Sequence, residues 1–445
     1  MNLQLFTAIF ILTIFPPHLA PAENIKKDEA LRYWGQWRGP LGTGVAPKAD
    51  PPIEWSETKN IRWKVLLPGR GHSTPVIWGE RVFLTTAVPY GDEFKPIRVN
   101  SKGAHDLVPV KHRYKFIVLA VNRRDGKILW QRTVREDLPH EGGHITASLA
   151  SASAVTDGKL LFAYFGSWGL YCLDLDGNLK WQTDFGTMRP LHAHGEGSSP
   201  ALYRDTIVVN WDHEGPSFLV ALDKRTGKER WKVERERVSS WTTPIIVEQD
   251  GKPQVIVSGS KKIRGYDLAN GKVIWECKGL SVENVCATPV IGRGIVYAGS
   301  SYDNRGVLAI RYEGAEGDIT GTKRVVWTRQ RGTPYVPSFL LYDDALYFHY
   351  HFKGILSRVD AISGEERPGI FRLNGIREVF ASPIGAAGRV YIADLNGSTI
   401  VLSNEAKPEV LSLNHLDDSF GASPAAVANE LYLRGAKYLY CIAKD

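Results

Sequence analysis

"LVALDKRTGKERW", residues 219–231, reads as two half-strands folded around a Lys-Arg-Thr-Gly turn. Near copies stand at 118–130, "VLAVNRRDGKILW", and at 263–275, "IRGYDLANGKVIW". In these and in the related unit at 170–181, an apolar run ends on Asn122, Asp174, Asp223 or Asp267, side chains that hydrogen-bond turn backbone. Gly126, Gly177, Gly227 and Gly271 follow where a tight connection needs positive φ. The return strand opens on Trp130, Trp181, Trp231, Trp275 or Trp327, a large face to set against a neighbouring sheet. The phrase is architecture before it is chemistry.

Working outward from it, each unit starts at a small residue, usually followed by Pro. The anchors are Thr74-Pro75, Ser151-Ala152-Ser153, Ser199-Pro200, Thr243-Pro244, Thr288-Pro289, Val336-Pro337, Ser382-Pro383 and Ser423-Pro424. From Ser153 onward they recur every 41 to 48 residues. Four strands at that period, with eight anchors, predict an all-β fold: an eight-bladed β-propeller of four-stranded antiparallel blades. Blades 6 and 7 have lost the indole, because Pro368 falls where the Trp belongs and "NEAKPEV" (404–410) has none. The chain stops at "KYLYCIAKD" (437–445), a third strand with no fourth, while "NIRWKVLLPG" (60–69) is a fourth strand with no first three. The N-terminal strand is therefore expected to complete the last blade and close the ring, which removes exposed sheet edges.

The domain plan is residues 1–22 as a signal peptide, 23–59 as an irregular N-terminal arm, and 60–445 as the propeller. "MNLQLFTAIFILTIFPPHLAPA" (1–22) has an apolar run and then a small-residue site near Ala22, too short to span a bilayer. A secreted or periplasmic location is the expectation, with no transmembrane segment. The formal charge of +7 is spread through interleaved stretches such as "KERWKVERER" (228–237), which argues against a nucleic-acid partner. Four cysteines are present, and Cys277 with Cys286 is the one locally plausible disulfide pair. No spacing suggests a zinc site, and "HYH" (349–351) supplies only two imidazoles, on one face of a strand. "GPLGTG" (39–44) lacks the Lys and the strand-to-helix context of a phosphate loop.

The A-x-D-x-x-T-G-x-x-x-W phrase resembles the tryptophan-docking repeat of the pyrroloquinoline quinone (PQQ) propellers over about residues 60–445. That group holds BamB-type assembly proteins and quinoprotein alcohol dehydrogenases; "WGQWRGP" (34–40) resembles the segment before the first blade in secreted PQQ-like proteins. The resemblance implies architecture more firmly than reaction. It implies two roles: a non-catalytic binding or scaffolding propeller, which is favoured, or a PQQ-dependent alcohol dehydrogenase-like oxidoreductase with the quinone, calcium and an Asp base. Against the second, no two cysteines are adjacent, and only Glu283-Asn284 offers a calcium pair. Against a BamB-type assembly role, the lipid-anchoring Cys is missing, since the first cysteine is Cys172.

In such blades the B–C loops and D–A connections share one end of the ring. There the long, chemically rich segments gather, making it the expected face for a protein partner or small-molecule ligand. "LPHEGGHITAS" (138–148) carries His140 and His144, and "LHAHGEGSSP" (191–200) carries His192, His194 and Glu196. "NWDHEG" (210–215) carries Trp211, Asp212 and His213, with Trp168 and Trp241 in adjacent loops. Imidazoles, carboxylates and indoles together suit a metal or a planar or sugar ring. The candidate ligand face is His144, Trp168, His194, Trp211, Asp212, His213 and Trp241; no catalytic residue, cofactor or metal is assigned. The long first B–C insertion, Ala87 to Tyr114, is expected to cover this face or bind a partner.

Overall fold

A computed structural model describes residues 27–97, 101–280, 284–301 and 305–444. The expected signal segment lies outside these, as does Glu283. Eight sheets follow one another around a ring, and the last joins Ile61–Leu66 to the C-terminal strands. Its strands run from the innermost A strand Ala425–Val427, through Glu430–Arg434 and Tyr438–Ala443, to Ile61–Leu66 outside. The N-terminal strand thus closes the propeller.

A–B turns are two-residue hairpins with positive φ at Asp250-Gly251, Arg293-Gly294 and Ala387-Gly388, the geometry that matches strand twist. Each docking Trp reaches the next blade. Trp63 Nε1 donates to Arg123 O at 2.9 Å, Trp130 to Leu175 O at 3.0 Å, Trp181 to Lys224 O at 2.9 Å, and Trp231 to Leu268 O at 2.8 Å. The ring lies on the receiving turn so closely that a Cβ on Gly227 would stand 2.6 Å from Trp181. The glycine is needed twice, for its positive φ and for the indole above it.

Trp275 departs from the pattern. It is fully buried and donates to Gln254 Oε1 of its own blade at 2.8 Å. Gly317–Asp318, from the connection within blade 5, pairs parallel with Trp275 and Glu276 as a fifth strand of blade 4. Blade 6 keeps only Leu340–Tyr342, Ala345–His349 and Leu356–Asp360. Its fourth strand is reduced to isolated bridges around Pro368, which has no N–H for a ladder.

A second belt runs inside the ring. The anchor amides of Thr74, Ser153 and Ser199 donate to the hydroxyls of Ser153, Ser199 and Thr243 at 2.9, 2.9 and 3.0 Å. Thr243, Thr288, Ser338 and Ser382 continue it to Thr288, Ser338, Ser382 and Ser423. The anchor of blade 6 is therefore Ser338, not Val336: what the belt selects is a hydroxyl, and Pro is incidental.

The arm crosses the end of the ring that carries the A–B turns. Trp34 pairs with Ile77 of blade 1, Thr156 N donates to Gly35 O at 2.8 Å, and Ala46 N donates to Gly385 O of blade 7 at 2.8 Å. Arg38 is buried, its Nη2 donating to Phe339 O at 2.6 Å. All four cysteines are free thiols, so Cys277 and Cys286 are not paired. Cys277 lies on an outer strand of blade 4, whereas Cys286 lies on the wall of the axial cavity.

Candidate functional site

On the axis lies a cavity of about 540 Å³. The hydroxyl belt forms its waist, Trp37 reaches it from the arm, and the indole of Trp37 donates to Thr288 Oγ1 at 3.3 Å. One wall is aromatic: Tyr335 stacks on His351 at 4.7 Å and Phe352 on Phe380 at 5.4 Å. Asp106, Glu196 and Glu378 line it as well, and among the described residues no Lys or Arg does. Asn284, buried to 1%, has no partner among the described residues for either side-chain polar atom and also lines the cavity.

The mouth is built from three loops tied by backbone bonds. Strands Arg81–Tyr90 and Arg113–Asn122 stay paired to Tyr90 and Arg113, so the insertion spans 91–112, shorter than the sequence suggests. Its Leu107 bridges His144, Ile145 N donates to Asp106 O at 2.7 Å, and His144 N donates to His194 O at 3.4 Å. These contacts bring four imidazoles together. The ring centroid of His194 lies 4.8 Å from that of His105, 5.1 Å from His144 and 5.3 Å from His192. Burial first, and then the neighbouring imidazoles, push His194 down to about 4.

Beside the mouth lies a small enclosed pocket lined by Glu141, Tyr164, Trp168, Glu196, Asp212 and Trp241. Burial, then the Glu196 charge, pushes Glu141 up to about 8; burial raises Glu196 to about 7 against hydrogen bonds from Ser167. Trp168 stacks on Phe116 at 4.8 Å and on His140 at 5.5 Å, and Trp241 Nε1 donates to Gly195 O at 2.6 Å.

Of the expected ligand-face residues, His144, His194 and Trp241 line the axial cavity, and Trp168, Asp212 and Trp241 line the side pocket. Asp212 is committed to Arg235 through bonds of 2.7 and 2.8 Å, a buried pair that holds blade 3 together. Trp211 is core, stacked on Phe218 at 5.6 Å. His213 Nδ1 accepts from Arg189 N at 3.0 Å while Nε2 faces Pro216 O at 3.1 Å, so it pins its own loop. His349 and His351 do not share a face: His349 ends its strand fully buried, and His351 follows it with φ of 61° and turns to the cavity. His105, Asp106 and Glu141 lie in loops, where no periodicity marks a position, and the signal for them in the sequence is their segments' density in His and acid.

The family model described as outer membrane protein assembly factor BamB matches residues 115–368, more than half of the chain. The chain belongs to that family. No curated protein matches it. Among solved structures, BamB from Moraxella catarrhalis aligns with a TM-score of 0.56 at 13% identity, covering 85% of this chain and 98% of that one. Quinohemoprotein alcohol dehydrogenase from Comamonas testosteroni aligns at 0.59 and 10% identity, covering 93% and 81% respectively. A computationally designed protein, Ika8, aligns at 0.53 and 12% identity, covering 77% and 98%. Identities this low show the propeller fold and no more.

The sequence resemblance to the PQQ propellers raises the question of fit. PQQ is a flat tricarboxylate, and a buried carboxylate needs a paired cation. Among the described residues the cavity is lined by carboxylates with no Lys or Arg, and burial together with the charges of Arg70 and Arg434 pushes His72 on its wall down to about 3. Cys286 stands without an adjacent cysteine. The lining does not suit the quinone.

Proposed function

We propose that this BamB-family propeller is an exported, non-catalytic binding protein that takes an uncharged, hydroxyl-rich ligand of sugar size into the axial cavity from its loop-rich face. The observation that carries this reading is the composition of that cavity. Aromatic faces at Tyr335, Phe352 and Phe380 line it together with the belt of hydroxyls and with carboxylates, and among the described residues no Lys or Arg does. Flat rings take the apolar face of a sugar, while hydroxyls and carboxylates take its O–H groups. Among the described residues no helix is long and apolar enough to cross a membrane.

The test is a thermal-shift and calorimetric screen of neutral saccharides against anionic aromatic compounds, PQQ included. Saturation at a hundred times Kd raises stability by about 2.7 kcal/mol, well within detection. A neutral saccharide should bind, and Phe380→Ala should weaken it about tenfold. Binding of PQQ in preference to every saccharide would reverse the reading.

A further inference from the structure

The imidazoles at the mouth come together from separate parts of the chain. His105 and Asp106 come from the blade 1 insertion, His144 from the connection between blades 1 and 2, and His194 from the connection between blades 2 and 3. Donor atoms of His105, Asp106 and His144 already lie within 4.8 Å of one another. Bonds of about 2.0–2.2 Å would set tetrahedral donors about 3.3–3.6 Å apart. Rotation of the exposed His105 and Asp106 side chains covers that difference.

His105 carries its proton where a metal ligand needs it, whereas His144 Nδ1 accepts from Thr146 N at 3.2 Å, a bond that gives way, with Nδ1 donating to Thr146 Oγ1 at 2.8 Å, when its Nε2 ligates. His105 Nδ1 is 2.8 Å from Gly103 O, a carbonyl that only accepts, so Nδ1 keeps the proton and Nε2 keeps its lone pair. His192 repeats the arrangement, its Nδ1 being 3.0 Å from Lys102 O. Imidazoles that ligate metals are held by such bonds from the other ring nitrogen. Gly103 makes the approach feasible, because a Cβ there would stand 2.5 Å from His192 Nδ1. His194 supplies an independent sign: its Nε2 is buried beside the cluster with no hydrogen-bond partner among the described residues, a condition rarely left uncompensated.

We propose that His105, His144 and His194, with Asp106, bind one divalent transition-metal ion of the zinc or copper class at the mouth of the axial cavity. Three imidazoles and one carboxylate favour such ions over calcium and magnesium, which take oxygen donors. An ion there ties the insertion to the two neighbouring connections and fixes the rim of the cavity. The proposal rests on the loop-rich face being the binding face, but it is tested on the protein alone.

Chelator-stripped full-length protein is titrated calorimetrically with zinc chloride and, separately, with calcium chloride. One zinc ion per chain should bind, and calcium should give no heat. His105→Ala and His194→Ala should each weaken zinc binding 10- to 100-fold. His112→Ala, which removes another, half-buried imidazole of the same insertion, should bind as the wild type does. Cobalt(II) should give the visible bands of a tetrahedral site, lost in His105→Ala; since His105 is exposed, that variant keeps its core. Absence of zinc binding, or equal binding by wild type and His105→Ala, would overturn the proposal. A protein that took up a saccharide but no zinc would lose the metal site and leave the cavity's reading in place.

Discussion

Glu141 sits 7% exposed with Oε1 unpartnered, close enough to Glu196 that the Glu196 charge opposes its ionisation. Its carboxyl is raised to about 8, against about 4.3 in an unfolded chain. A raised carboxyl contributes fully below the unfolded value, where both states hold the proton. The contribution falls as pH climbs, because the unfolded chain releases its proton first, and it is gone above the folded value. Between about pH 4.3 and 8 this residue therefore erodes stability. Glu141→Gln keeps the shape and removes the titration. The melting temperature of the wild type should fall below that of the variant as pH rises through this window, and the two should converge near pH 4. Parallel melting curves from pH 4 to 8.5 would mean that Glu141 is not held neutral.

At the scale of elements, the blades differ in what joins them. Blades 1 to 4 are joined by an indole laid on the next turn, and the period of that phrase made the fold legible. Blade 7 lacks the indole, and its place beside blade 8 is taken by the arm. Trp55 N donates to Asn414 Oδ1 at 2.9 Å, Asn414 Nδ2 to Ile53 O at 2.9 Å, and Tyr391 OH to Pro51 O at 3.1 Å. Trp55 itself is 4% exposed in the shared core of blades 7 and 8. Nothing periodic announces this substitution, so the arm reads in sequence as irregular. The site escaped for a related reason: His105 meets His194 through loop backbone bonds that no repeat encodes, whereas Trp211 and His213, which looked chemical, are spent on packing. Trp55→Ala should destabilise the protein by about 3–5 kcal/mol, as truncation of a buried aromatic does, matching the loss from Trp231→Ala in urea denaturation. A loss under about 1 kcal/mol would show that the arm only lies on the ring.

The whole molecule depends on one joint, because a propeller is a closed ring whose first and last strands share a sheet. Backbone pairing of Ile61–Leu66 with Tyr438–Ala443 makes that joint, and Trp63 carries it into blade 1. Glu430 locks it. This buried carboxylate of blade 8 accepts from Arg123 Nε of blade 1 at 2.6 Å, from Tyr432 OH at 2.6 Å, and from Arg62 of the closing strand. Arg123 is itself largely buried, so removing its partner leaves a charge with no compensation, at a cost of about 3–5 kcal/mol. That cost differs in kind from a cavity in one blade, because it falls where the ring opens. Glu430→Ala should lower stability by that amount, and native-state hydrogen exchange should locate the lost protection in the amides of Ile61–Leu66 and Tyr438–Ala443. Blade 4, across the ring, should keep its protection until global unfolding. Protection lost evenly in all blades would mean that the ring unfolds as a unit and that Glu430 is one buried ion pair among several, not its lock.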